Sequence, residues 1–172
     1  MSKALLSADS PEHYGPPSLL AVVRELMGGI DLDPASCVEA NQIVQATSFY
    51  TSEDDGLAHI DDWTGRVYLN PPGGRGYTSE EYPKIPMPRG RRLHNRQALW
   101  WTALDWAYQC GRIQEAVFTC FSLDLLSVAQ HYPCRHPLEY PHCLVRDRLR
   151  FWTLLDGELR EESSPTHKIG RA

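Results

Sequence analysis

Asn70, Pro71 and Pro72 are the residues of this chain best suited to chemistry at a nitrogen. Two prolines in series hold φ fixed and remove two amide donors, so the backbone after Asn70 is stiff. The Asn70 amide and the Pro71 carbonyl can then point at one spot, accept hydrogen bonds from an exocyclic amine and raise its nucleophilicity. A plain strand-ending loop can carry the same tripeptide, and context decides between the two readings. Carboxylates form the second set. Asp31 and Asp33 flank Leu32 and precede Pro34. Asp33, next to Pro34, is the rim residue and Asp31 more a solvated strand-end group. Asp54 and Asp55 stand before Gly56.

The elements that must position these groups alternate between helix and strand. Ser18 is suited to cap a helix whose apolar positions are Leu19, Val22, Val23 and Leu26, closed by Gly28-Gly29. Ile30 to Asp33 reads as a short strand ended by Pro34. Ser36 and Glu39 form a capping box for a helix to about Ala46, and Phe49 to Asp62 reads as an acidic loop. Arg66 to Leu69 is a second strand, ended by Asn70-Pro71-Pro72-Gly73. A Trp-rich helix spans Gln97 to Cys110, and its Trp100, Trp101, Trp106 and Tyr108 read as packing residues. Ala116 to Phe121 reads as a buried parallel strand, with Ser122 capping the next helix. Cys143 to Val145 is a further strand candidate, and Leu149 to Glu161 a hairpin around Asp156-Gly157.

The pattern predicts an α/β sandwich with a mostly parallel sheet and an antiparallel C-terminal hairpin. Ligands of such sheets bind outside the carboxyl ends of the strands, which here puts Asp33-Pro34 and Asn70-Pro71-Pro72 on one rim. At 172 residues the chain is expected to be a single domain, with a loose arm over 1–11 and a polar tail over 163–172. Nothing approaches the roughly 18 apolar residues of a membrane span, and the N-terminus lacks a signal-peptide core. Five cysteines without a CxxC pair point to a reducing cytosol rather than a disulfide framework. Cys134, His136, His142 and Cys143 lack the spacing of a recognised zinc site, so no metal is expected.

The net charge of -5 argues at first against nucleic acid, but its distribution reverses that. Residues 73–97 hold Arg75, Lys84, Arg89, Arg91, Arg92 and Arg96 against Glu80 and Glu81, a net +4 on a body of net −9. A basic loop that starts beside Asn70-Pro71-Pro72 suits a phosphate backbone.

These segments, in order, resemble the phage-type DNA N6-adenine methyltransferases, which are S-adenosylmethionine enzymes with an Asn-Pro-Pro-aromatic motif. Glu12 to Pro17 resembles the family's N-terminal segment, with Gly15 in place of Thr. Ile30 to Ser36 resembles its Asp-Pro-Ala cofactor segment, Phe49 to Leu57 the acidic segment, Trp63 to Pro72 the catalytic strand, and Arg148 to Phe151 a basic-aromatic segment. The resemblance covers roughly residues 12–166. It implies a Rossmann-like methyltransferase fold and S-adenosylmethionine bound by Asp31, Asp33, Pro34 and Asp55. It implies methyl transfer at Asn70, Pro71 and Pro72 to an adenine flipped out of DNA at a cost of a few kcal/mol. Either Asp54 or Asp55 holds the cofactor adenine while the other caps a turn, with Asp55 slightly favoured. Gly73 stands where the family has its base-stacking aromatic, and Tyr77 is the candidate substitute. Arg75, Arg89, Arg91 and Arg92 are the expected DNA contacts. A phage or prophage origin and a site of action in the bacterial cytoplasm follow from the same resemblance. With no room for a separate recognition domain, short or weak sequence specificity is expected. Two alternatives stay open: a methyltransferase acting on a protein amide, and a non-enzymatic DNA- or partner-binding protein on a degenerate methyltransferase fold. Monomer and homodimer are also both open.

Overall fold

The structure, a computed structural model, describes residues 14–73, 76–89, 94–120, 122–145, 150–155 and 158–161. Helix α1 (Pro17–Met27) begins at a proline whose φ is preset for the first helical position. Pro16 takes the cap position, so Ser18 lies inside the helix rather than capping it. Leu20, Val23 and Met27 form the buried face, while Val22 and Leu26, expected on it, are exposed. Gly28, at φ 67, closes the helix in the left-handed conformation that glycine adopts at least cost.

Strand β1 (Ile30–Asp33) leads into helix α2 (Val38–Val44). Its cap is Cys37, whose Sγ accepts from the Ala40 amide, not the Ser36 box expected. The helix ends at Val44, and Ala46–Phe49 forms a strand, β2, that the sequence reading had divided between helix and loop. The Asn41 side chain bonds both the amide and the carbonyl of Ala46, which starts β2 at this point. Strand β3 (Gly65–Leu69) is followed by helix α3 (Arg96–Gln109) and strand β4 (Ile113–Phe118).

The four strands form one parallel sheet in the order β2-β1-β3-β4. Val67 and Leu69 pack with Leu99, Trp100 and Ala103 of α3 on one face. Tyr68 packs with Leu20 and Val23 of α1 and Ile43 of α2 on the other. This is an α/β sandwich with helices on both faces, compatible with a Rossmann-like fold. The middle strand β3 is covered on both sides, which explains its continuous apolar run. Strand β4 differs from expectation. It begins three residues earlier than the apolar run, and Gln114, Glu115 and Ala116 are exposed because β4 is an edge strand among the described residues.

Helix α3 is buried on several sides because a short helix, α4 (Asp124–Val128), packs on it through Leu125 beside Trp101. Ser122 accepts from the Asp124 amide just ahead of α4, near the expected cap. Cys143 to Val145 is exposed coil rather than strand. The hairpin is present as β5 (Trp152–Leu155) paired antiparallel with β6 (Glu158–Glu161). It forms a separate two-stranded sheet, joined to the body by a backbone bridge between Trp152 and Tyr14. No helix among the described residues is long and apolar enough to cross a membrane.

The loop after β2 is clamped under the end of β1. The Ser36 amide donates to the Tyr50 carbonyl at 2.9 Å, and Trp63 Nε1 donates to the Gly56 carbonyl at 2.9 Å. A methyl at Gly56 would sit 2.0 Å from the Pro34 carbonyl oxygen. Gly56→Ala is therefore expected to lower stability by about 1–3 kcal/mol in denaturant unfolding. A midpoint equal to wild type would show that this contact is not made.

Candidate functional site

The parallel sheet brings the carboxyl ends of its strands to one rim. The register Leu32↔Val67, continued, sets Asp33 level with Tyr68 and Pro34 level with Leu69, so that Asn70-Pro71 follows just beyond the end of β1. At this position the chain runs outward from β1 to β2 and then crosses back to β3, so the strand order reverses between the ends of β1 and β3. Pro71 is buried, Asn70 is half-buried with its side-chain oxygen shielded from solvent, and Pro72 and Gly73 are exposed. The Leu69 carbonyl accepts from the Thr119 amide at 2.9 Å, which extends the β3–β4 ladder to the rim.

Asp33 is 2 % exposed, and burial pushes its carboxyl up to about 7, only partly offset by a hydrogen bond from the Ala35 amide. No cationic side chain among the described residues compensates that burial. The same carboxylate acts on Tyr68, whose hydroxyl burial already holds well above the usual phenol range. The Tyr68 hydroxyl accepts from Thr119 Oγ1 at 3.2 Å and lies 3.0 Å from where a Gly15 methyl would be. The Tyr14 to Pro17 segment thus packs at this rim, on the face that Tyr68 occupies.

Asp31 lies elsewhere. Its carboxylate accepts from Arg66 Nε at 2.9 Å, Arg66 Nη2 at 2.7 Å and the Arg66 amide at 2.8 Å. This fork holds the Asp31 carboxyl down at about 2. The pair sits at the start of β3, away from the carboxyl rim, so of the two β1 carboxylates only Asp33 reaches the rim. Asp54 caps the turn at Thr51 through the Thr51 amide and hydroxyl. Asp55, at φ 56, accepts instead from the Tyr82 hydroxyl at 3.0 and 3.1 Å.

The segment after Gly73 folds back on the rim. Tyr77 and His94 form a backbone bridge that closes the base of the loop, and a methyl at Gly76 would sit 2.1 Å from the His94 carbonyl oxygen. The Tyr77 ring meets the Tyr82 ring edge-on at 5.0 Å, and the Arg96 guanidinium lies 4.7 Å over the Tyr77 ring. Arg96 also donates to the Tyr77 hydroxyl and to the Gly73 carbonyl. A cleft of about 280 Å³ opens here, lined by Gly73, Asn95, Arg96, Gln97, Ser122 and Asp124. Around a potential side chain at Gly73 no atom of the described residues lies within 4 Å.

The basic loop is less available than its composition implied. Lys84 pairs with Asp61, which Arg112 also contacts at 3.0 Å, and Arg96 is engaged with Tyr77 and Gly73. Arg89 is exposed, with no ion-pair partner among the described residues. Arg75, Arg91 and Arg92 lie outside the described residues. His136 caps a turn, with its ring nitrogens against the Leu138 amide and the Leu126 carbonyl. Among the described residues no three His, Cys, Asp or Glu side chains converge as a metal site.

Sequence reasoning gives no role to Tyr68, Tyr82 and Thr119, and counts Arg96 only in the basic charge of the loop. No local pattern marks them, because each meets its partner across 19 to 51 positions of chain. Comparisons with protein-family models, curated proteins and solved structures returned no match.

The raised carboxyl of Asp33 makes a pH prediction. Its folded value of about 7 lies above the ordinary 3.8, so between those values the folded state holds the additional proton. Asp33 therefore favours folding most below about 3.8, and that contribution is lost as pH rises to about 7. Urea unfolding from pH 5 to 8 is expected to show a decline in wild type that Asp33→Asn flattens. Equal slopes in the two proteins would contradict a buried, uncompensated carboxyl.

Proposed function

We propose that this chain is an S-adenosylmethionine-dependent DNA adenine N6-methyltransferase. The observation that carries the reading is that the adjacent parallel strands β1 and β3 end in Asp33-Pro34 and Asn70-Pro71-Pro72 at the same carboxyl rim, where the strand order reverses. The donor set fits a cationic cofactor: Asp33 is a buried carboxylate without a cation among the described residues, and a positive group beside it offsets its burial. S-adenosylmethionine, when bound, supplies an electrophilic methyl on a sulfonium sulfur. Asp33 and Pro34 hold its ammonium and ribose end, and Asp55 its adenine amine.

Asn70 and Pro71 do the remaining work. The Asn70 side-chain oxygen and the Pro71 carbonyl would accept from the N6 amine of a flipped adenine and so raise its nucleophilicity and hold it in place. Pro72 keeps this backbone rigid, so that catalysis is positioning and electrostatics. Arg89, with Arg75, Arg91 and Arg92, contacts phosphates. Tyr77 presents the nearest aromatic to Gly73, although one of its faces is covered by Arg96.

A second reading is a non-enzymatic DNA- or partner-binding protein on the same fold. It rests on Gly73 in the aromatic position and on the internal engagement of Lys84 and Arg96.

Incubation with S-adenosylmethionine and mixed-sequence DNA is expected to yield N6-methyladenine, with modified sites read by sequencing. Asn70→Ala is expected to reduce turnover roughly 100-fold or more. Cofactor binding without any transfer would favour the second reading, and no cofactor binding by calorimetry would leave it alone.

Two binding measurements accompany this. Replacing Arg89, Arg91 and Arg92 by Ala should weaken DNA binding and flatten its salt dependence. Gly73→Phe fits the open space at this position and should tighten binding of an oligonucleotide about tenfold, since aromatic–base stacking is worth about 1–3 kcal/mol. Unchanged affinity in both variants would remove DNA as the partner.

A further inference from the structure

We propose that Arg96 is the positioning residue that holds the Asn70–Gly73 loop in register with the Asp33-Pro34 segment. The proposal rests on the reading of Asn70-Pro71-Pro72 as the reactive loop. Its basis is a closed path of contacts across the rim. Gly56 packs on the Pro34 carbonyl; Asp55, next to it, accepts from the Tyr82 hydroxyl; Tyr82 meets Tyr77 edge-on. Arg96 completes the path with Nε on the Tyr77 hydroxyl at 2.9 Å, its guanidinium over the Tyr77 ring, and Nη1 on the Gly73 carbonyl. The planar fork of arginine bonds two acceptors and stacks at once, which a lysine ammonium does not do.

Three features separate this from ordinary packing. Arg96 is the first residue of a 14-residue helix, where a cation opposes the helix dipole, so helix stability does not account for it. Asn95 already satisfies the helix start by accepting from the Ala98 amide at 3.0 Å. No carboxylate among the described residues pairs with Arg96; its acceptors are the carbonyl of Gly73 and the hydroxyl of Tyr77. Gly73 has no side chain to pack, so the carbonyl contact is what secures the end of the loop. The rigidity that an aromatic side chain would bring by packing is supplied here by a backbone tether from α3.

The test uses the full chain with Arg96→Ala, Arg96→Lys, Tyr77→Phe and the Arg96→Ala/Tyr77→Phe double variant. NMR relaxation reports the order of the Asn70, Gly73 and Gly76 amides, where about 0.85 is rigid and below about 0.6 is flexible. In Arg96→Ala these amides should become flexible, while the melting temperature stays at or above wild type because an unfavourable helix cation has gone. Arg96→Lys should recover order only in part. Tyr77→Phe should loosen the loop less than Arg96→Ala, and the double variant no more than Arg96→Ala, as expected for groups in one unit.

If the wild type transfers methyl groups, Arg96→Ala should lower kcat about tenfold with the cofactor Kd unchanged. Unchanged amide order in Arg96→Ala overturns the proposal, and so does a loss of order spread across the sheet with a lowered melting temperature. A wild type without transfer activity defeats the functional reading alone, since the order measurements still decide the role of Arg96.

Discussion

The register between β1 and β3 is the constraint on which the rest depends, and the Arg66–Asp31 fork holds it. Arg66, on β3, bonds both Asp31 oxygens on β1 and also reaches the Met27 and Gly28 carbonyls at the end of α1. One planar cation therefore ties together a helix terminus and two parallel strands, in the bidentate geometry that combines strength with direction. Gly65 lets the strands approach: its φ is 74, and a methyl there would stand 2.5 Å from Asp31 Oδ2. Were the strands to slip by one residue, every side chain of β3 would change face, moving Tyr68 out of the α1–α2 layer and Val67 and Leu69 out of the α3 layer. The Asp33-Pro34 and Asn70-Pro71-Pro72 ends would also shift against each other at the rim.

With that register set, the two β1 carboxylates take opposite physical roles. Asp31 is charged and paired, held at about 2, and serves architecture. Asp33 is buried without a cation among the described residues, pushed up to about 7, and costs the fold stability at neutral pH. Desolvation of one and ion pairing of the other separate two identical side chains two positions apart.

Much of the architecture was legible in the sequence because its cues are local. Gly28, the apolar run of β3, the Gln97 to Cys110 helix segment and the Asp156-Gly157 turn signal each act within a few residues. The edge strands were not legible. Ala46–Phe49 has little strand character and forms β2 because Asn41 and β1 supply its partners. The Ile113–Phe118 strand includes exposed polar residues that the apolar run following them had obscured. The basic loop was misleading in a different way: charge density was readable, but Lys84 and Arg96 find internal partners that composition does not reveal.

By itself the sequence determined that helices and strands alternate, that β1 ends in Asp33-Pro34 and that β3 ends in Asn70-Pro71-Pro72, since proline and glycine act on the backbone where they stand. Only the tertiary structure decided that Asp31 is bound by Arg66, that Asp33 is buried, and that Arg96, Tyr77, Tyr82 and Asp55 form one path around the site. Those outcomes depend on burial and on partners far away in the chain, and neither quantity is a property of a residue or of its immediate neighbours.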